Sequence, residues 1–222
     1  MAEHSEAQRM PIRPEGGGSP QAHYFIEDKS LPDDYRMFPY YYKELAFRFT
    51  SNSGIFSHGH VDEATDILIK NMPPLRGSLL DLGCGYGVIG IVLCKAYNLT
   101  LTLADINPRA LRCAEINCGQ NGVKANILTS DGFENIPGKF DAIALNPPIH
   151  AGKDLVYTML EGAGAHLHPG GALYAVMLEK HGARSAARKL GEWYGGCAVL
   201  YKKKGIYVMQ CQKTCGNLDK PH

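Results

Sequence analysis

Four polar residues in this 222-residue chain stand at the ends of successive apolar runs, and three of them are carboxylates. Asp81 lies in "SLLDLG", Asp105 closes "LTLTLAD", Asp131 follows "KANILTS", and Asn146 closes "FDAIALN". Behind Asp81 comes "LLDLGCGYGVIG", with Gly83, Gly85 and Gly87 at alternate positions. Glycines at that spacing permit a tight turn and let backbone approach a ligand closely. The helix that should follow offers unpaired N–H groups at its start. Gly85, Gly87 and Gly90 also satisfy the dinucleotide pattern G-x-G-x-x-G. That pattern alone is weak, because a purely structural strand-to-helix turn would look the same.

Asp81 helps to choose a ligand. A carboxylate beside a pyrophosphate would be repelled. The same group suits a cofactor that carries an ammonium and a sulfonium, which favours S-adenosylmethionine over NAD. Asp105 is placed to accept from ribose hydroxyls, and Asp131 to accept from an adenine amino group. Each has a plain alternative: a helix N-terminal region ("DINP") for Asp105 and a loop carboxylate ("SDG") for Asp131. Three carboxylates at successive strand ends carry more weight together, since open parallel sheets bind ligands at that edge.

The elements that must hold these residues alternate regularly. "SLLDLG", "LTLTLAD", "KANILTS", "FDAIALN" and "GALYAVML" read as strands. Residues 86–97, 108–120, 152–167 and 180–193 read as helices, with Pro108 suited to a first turn. "CAVLYKKKGIYVMQCQ" reads as two strands around a Lys-Lys-Gly turn. The expected fold is therefore α/β and Rossmann-like: a seven-stranded, mostly parallel sheet with the last strand antiparallel and helices on both faces. Ahead of it, residues 23–60 form a β/α extension with aromatic clusters and a strand at "ELAFRFT", and residues 60–71 form a helix. Residues 1–22, rich in Gly, Pro and Glu, read as a disordered tail. Residues 23–222 then make one domain.

Composition narrows the class. Hydrophobic residues are 45% and charged residues 20%, with a net charge of +1, which suits a globular protein and neither requires nor excludes RNA. No apolar run reaches membrane-span length, and the N-terminus lacks the apolar core of a signal peptide. A cytoplasmic protein is expected. The seven cysteines include no C-x-x-C and read as free thiols. The His58/His60 and His166/His168 pairs lack partners for a metal set, so no metal is expected.

Five stretches together resemble a known family: "SNSGIFSHGHVDEATDILI", "DLGCGYGVIGI", "ADINPRAL", "NPPIHAGK" and "KKKGIYVM". They are similar to the methyltransferase small family of class I S-adenosylmethionine-dependent enzymes, which includes the RsmC-type ribosomal RNA guanine-N2 methyltransferases. The resemblance covers residues 23–212. It implies that Gly83, Gly85 and Gly87 wrap the methionine portion of the cofactor beside Asp81, that Asp105 holds the ribose and that Asp131 meets the adenine. It implies that Asn146 and Pro147 bind the substrate amine. Phe56 and Ser57 would line the pocket.

An exocyclic amine on a base is a poor nucleophile, because its lone pair is delocalised into the ring. Two acceptors, the Asn146 side-chain carbonyl and the Pro147 backbone carbonyl, could bond its two N–H groups and aim the lone pair at the sulfonium methyl. Proline at 147 and 148 stiffens that backbone. A base in structured RNA would have to be splayed out first. The sequence departs from the family at two points. Ile149 and His150 stand where many such enzymes place an aromatic ring, leaving Pro148, Ile149 and His150 to pack the target. The longer RsmC-type enzymes also carry a second, degenerate domain before the catalytic one, for which 222 residues leave no room.

Lys153 and the turn Lys202, Lys203 and Lys204 should rim the pocket and contact phosphates, unless the lysines merely guard a sheet edge. The expected function is N-methylation of an exocyclic amino group of an RNA base, guanine N2 in 16S rRNA. The partner would be small-subunit rRNA or the ribosomal subunit. The competing readings are methylation of a protein glutamine amide, an NAD-dependent oxidoreductase and a non-catalytic RNA-binding module.

Overall fold

A computed structural model of the chain describes residues 34–53, 55 and 57–214. The expectations for the tail 1–22 and for Phe56 lie outside the described residues.

The strands are β1 (Tyr35–Tyr42), β2 (Leu45–Asn52), β3 (Ser78–Leu82), β4 (Thr100–Asp105), β5 (Ala125–Thr129), β6 (Phe140–Leu145), β7 (Leu167–Leu178), β8 (Ala198–Lys203) and β9 (Ile206–Gln212). The helices are α1 (Glu63–Asn71), α2 (Val88–Tyr97), α3 (Pro108–Asn121), α4 (Lys153–Gly162) and α5 (Ala183–Tyr194). The main sheet runs in the order β5-β4-β3-β6-β7-β9-β8. Only β9 runs against its neighbours; β8, antiparallel to β9, is parallel to the rest. The expected seven strands and antiparallel last strand are observed.

Both faces of the sheet are buried, so its central strands read as unbroken apolar runs rather than alternating ones. One apolar layer joins the sheet to α1, α2, α3 and the β1–β2 ribbon through Leu68, Ile91, Leu103 and Phe49. The other joins it to α4 and α5 through Leu80, Ile143, Leu160 and Leu190.

The chain reverses direction across the sheet between β3 and β6, where such folds open a crevice at the strands' carboxyl ends. The register there pairs Asp81 with Ala144 and Leu82 with Leu145. Gly83 and Asn146 are therefore each one residue past the last pair, side by side on one edge.

Several boundaries differ from the sequence reading. The helix expected over 152–167 ends at Gly162, and β7 begins at Leu167 instead of Gly171. The helix expected from 180 starts at Ala183, because a single 3-10 turn, Glu179–His181, precedes it. Strand β1 was not anticipated. It carries Pro39, which lacks an N–H and is tolerated in a two-stranded ribbon.

The ribbon's free edge is closed by side chains. Asn117 Oδ1 accepts from Thr50 N–H at 2.7 Å and its Nδ2 donates to Thr50 O at 2.9 Å. Asn121 repeats the pattern on Arg48, at 3.0 and 2.8 Å. Two amides on α3 thus substitute for a third strand and satisfy backbone groups that would otherwise be buried unpaired. Asn117 Nδ2 also donates to Tyr86 O, in the glycine loop, at 2.8 Å.

Candidate active site

A cavity of about 610 Å³ opens along this carboxyl edge, within the range of roughly 300–1,000 Å³ common for small-molecule sites. One end is walled by the glycine loop, Leu82 to Tyr86, and by the ends of β4 and β5, including Asp105, Asn107, Ser130 and Asp131. The other end is walled by Asn146 to His150, the start of α1, and Leu178, Lys180 and His181 after β7. The sequence stretches thought to hold a cofactor and those thought to hold a substrate therefore face one continuous space.

The glycine loop is shaped by two separate demands. Gly85 has φ +56°, and a Cβ there would meet nothing within 4 Å, because it would project toward open space. Its N–H donates to Asp105 Oδ2 at 2.8 Å, which ties the loop to β4. Gly90 is required for a different reason: a Cβ would lie 2.6 Å from Leu103 Cδ2 and 2.8 Å from Leu101 Cδ1. Only glycine lets α2 sit this close to the sheet. Gly83 lines the cavity, whereas Gly87 is the N-cap of α2 and does not.

Asp105 lines the cavity, and its oxygens accept from Gly85 N–H and Asn107 N–H, both at 2.8 Å. Each carboxylate oxygen keeps further lone-pair capacity for a ligand hydroxyl. Burial raises its pKa despite these bonds. Asp131 is exposed at the cavity wall.

Asp81 is not in the wall. It is 0% exposed and lies beneath the loop, with Oδ2 accepting from Gly90 N–H at 2.8 Å. Its Oδ1 is buried without a hydrogen-bond partner among the described residues. Burial, with Asp105 adding repulsion, pushes its pKa up to about 7, against the Gly90 bond. An orphaned buried carboxylate oxygen behind an open glycine loop fits a cationic ligand. It does not fit a pyrophosphate. These residues fit S-adenosylmethionine: Asp105 would meet the ribose and Asp131 the base, while Asp81, outside the wall, would act on the charged methionine portion only through its field beneath the loop.

At the substrate end, Asn146 Nδ2 donates to Thr65 Oγ1 on α1 at 2.9 Å. The Pro148 carbonyl is taken by Ala151 N–H at 3.0 Å, in the 3-10 turn Ile149–Ala151. Among the described residues the Pro147 carbonyl accepts no hydrogen bond. Pro148, Ile149 and His150 all line the cavity.

The lysines behave differently from expectation. Lys153 begins α4 with Nζ 5.4 Å from the Tyr157 ring centre, and it does not line the cavity. Lys202 lies over the Tyr207 ring at 5.2 Å, and Lys204 pairs with Glu63 at 3.7 Å. Lys203 is exposed. The turn is nonetheless close to the mouth, since Gly205 O accepts from Glu179 N–H, one residue before Lys180. The cations that do reach the wall are Lys180 and, when protonated, His150 and His181. Burial, then Lys180 and His150, pulls the His181 pKa below the ordinary imidazole value.

Sequence reasoning missed Asp62 and Thr65, and it placed Lys180 only on a helix. The available signals were a helix N-cap ahead of an apolar run, and a basic residue just past a strand of the parallel sheet.

Comparison with known proteins agrees with this geometry. A methyltransferase small domain model matches residues 46–210. The chain is 37% identical over 198 residues to YbxB of Bacillus subtilis (strain 168), itself uncharacterised, covering 86% of this chain and 98% of that one. It is 42% identical over 135 residues to ribosomal RNA small subunit methyltransferase C of Pasteurella multocida, covering 58% of this chain and 41% of that protein. Among solved structures, the T. thermophilus 16S rRNA N2 G1207 methyltransferase (RsmC), in complex with AdoMet and guanosine, superposes with a TM-score of 0.74 at 27% identity. That match covers 82% of this chain and 51% of the other. The chain thus spans about two-fifths to one-half of the named rRNA enzymes and nearly all of YbxB. With the family pattern running from β2 to β9 and its motifs gathered on one cavity, the chain belongs to the methyltransferase small family.

Proposed function

We propose that this protein transfers a methyl group from S-adenosylmethionine to an exocyclic amino group of an RNA base, guanine N2 in small-subunit rRNA. The observation that carries the reading is the single cavity that joins the glycine loop to the Asn146–Pro147 edge. The relatives named above as rRNA methyltransferases support the substrate class. Ile149 in place of an aromatic ring counts against a glutamine amide target. Work on ribosomal RNA would place the protein in the cytoplasm; among the described residues no helix is long and apolar enough to cross a membrane.

The cofactor supplies a methyl group already activated by a sulfonium, so the protein need not provide a strong base. Its residues orient. Asn146 Oδ1 and the Pro147 carbonyl would each accept one N–H of the amine, favouring a pyramidal nitrogen whose lone pair leaves the ring π system and aims at the methyl. The N–C bond forms as the sulfonium C–S bond breaks to a neutral thioether, and the surplus amine proton passes to solvent. Holding the two reactants in this geometry supplies most of the rate advantage. Fixed dipoles add to it because they need no reorganisation as charge moves off sulfur. Ile149 and Leu178 offer apolar surface to the base.

The test incubates the protein with methyl-labelled S-adenosylmethionine and, separately, naked 16S rRNA, small-subunit particles and total protein, then maps the label. Label on guanine N2 supports the reading; label only on protein overturns it. Asn146→Ala should bind S-adenosylmethionine nearly normally and lose turnover by about three powers of ten, as expected when a group that acts on the transition state is removed.

A further inference from the structure

The proposed reaction, on which this inference rests, needs one particular end of the Asn146 amide. The carbonyl oxygen accepts a hydrogen bond, while the NH2 only donates. Facing an NH2 substrate, the oxygen binds it and the NH2 would oppose it, donor against donor. Within Asn146 the two ends have nearly the same shape, so sterics alone do not choose between them.

The structure shows one of the two: the NH2 end is taken by a residue 81 positions away in sequence, whose hydroxyl, able to donate or to accept, here accepts. Asn146 Nδ2 donates to Thr65 Oγ1 at 2.9 Å. Thr65 is only 7% exposed and lines the cavity wall beside Asn146. Its backbone N–H donates to Asp62 Oδ1 at 3.0 Å, the N-cap of α1, and Ala64 N–H donates to the same oxygen at 3.1 Å. The segment entering the helix is anchored to the glycine loop, where Tyr86 Oη donates to His60 O at 2.8 Å. On the same face of α1, one turn on, Leu68 and Ile69 are buried. The hydroxyl is thus fixed by a capped, packed helix.

We propose that Thr65 is a positioning residue for methyl transfer: by accepting from Asn146 Nδ2, it turns Asn146 Oδ1 to the target amine. A methyl in place of the hydroxyl would keep the β-branched shape but leave Nδ2 unpaired. The amide would then turn its unpaired NH2 away from that methyl and toward the open cavity, so that the productive orientation becomes the minor one. The loss belongs to the chemical step. Cofactor affinity is set at the other end of the cavity and should not change.

The test uses the full chain as Thr65→Val, Thr65→Ser, Thr65→Ala and Asn146→Ala. It measures kcat and KM for rRNA, Kd for S-adenosylmethionine and the thermal midpoint. Thr65→Val should lose kcat by about tenfold to a hundredfold, with KM and cofactor Kd within about twofold of wild type. Thr65→Ser and Thr65→Ala lack the same methyl and differ in the hydroxyl, so their comparison survives a folding defect in the valine variant. Serine should restore most of the rate, and alanine should not. Equal kcat for Ser and Ala, with Asn146→Ala inactive, overturns the role of Thr65 alone. Wild-type turnover in Asn146→Ala overturns the proposed reaction and this inference with it.

Discussion

Asp81 is buried with one carboxylate oxygen unpaired among the described residues, at a cost to the fold that can be measured. Its pKa in the folded protein is pushed up to about 7 from 3.8, chiefly by burial. The folded state therefore holds this proton more tightly than the unfolded chain. Stability from this group is complete below about pH 4, falls as pH rises toward 7, and is flat above that. A shift of three units corresponds to something on the order of 4 kcal/mol, a large share of the ~5–15 kcal/mol that holds a domain together. Asp81→Asn keeps an acceptor for Gly90 N–H and removes the ionisation. Urea unfolding of wild type and Asp81→Asn should give similar stabilities at pH 4. At pH 8 the variant should be more stable by a few kcal/mol. A difference that is the same at both pH values would refute this account. Binding should move the other way: a cationic ligand favours the ionised carboxylate. S-adenosylmethionine should then bind wild type with proton release near pH 6–7, seen as a heat that depends on the buffer, and bind Asp81→Asn more weakly.

Other perturbations separate the elements. Asn117→Ala removes one side chain that serves two Thr50 backbone groups and the Tyr86 carbonyl. Leaving those groups buried and unpaired should cost about 3 kcal/mol in chemical denaturation. Gly90→Ala drives a Cβ into Leu103 and Leu101; the expected loss is about 1–3 kcal/mol, seen as a lower thermal midpoint, with kcat little changed in the folded fraction. Lys180→Ala should leave cofactor affinity intact, weaken RNA binding and reduce the slope of log affinity against log salt by about one. A Lys202–Lys204 triple alanine variant should reduce it further, by up to about three, if that turn contacts phosphate.

What could be read from the sequence, and what could not, divides along physical lines. The parallel sheet was legible because strands buried on both faces are short and uniformly apolar, and turns or caps such as Asn107-Pro108 mark where helices begin. Asn146 could be set beside the glycine loop for the same reason, since the strand order follows from the alternation. Strand β1 was obscured by Pro39 and by a run of tyrosines whose buried members, Tyr40 and Tyr42, differ from Tyr41 only in direction. Thr65 was hidden because its partner is 81 residues away. The directions of the lysines were not legible because a residue's place in an element does not say where a long side chain will turn. Lys202 and Lys153 lie over neighbouring tyrosine rings, while Lys180, within an unforeseen 3-10 turn, faces the cavity.

The amide of Asn117 has one more consequence. It clasps the ribbon with two hydrogen bonds and the glycine loop with a third, so neither can open locally without disturbing the other. The ribbon leads into Ser53 and Ile55, which also line the cavity. Opening at this point would be a single cooperative event that unlatches both walls at once. Product exit and fraying of the N-terminal ribbon would then share one free-energy barrier, and a ligand bridging the two walls would slow amide exchange in a strand it never touches.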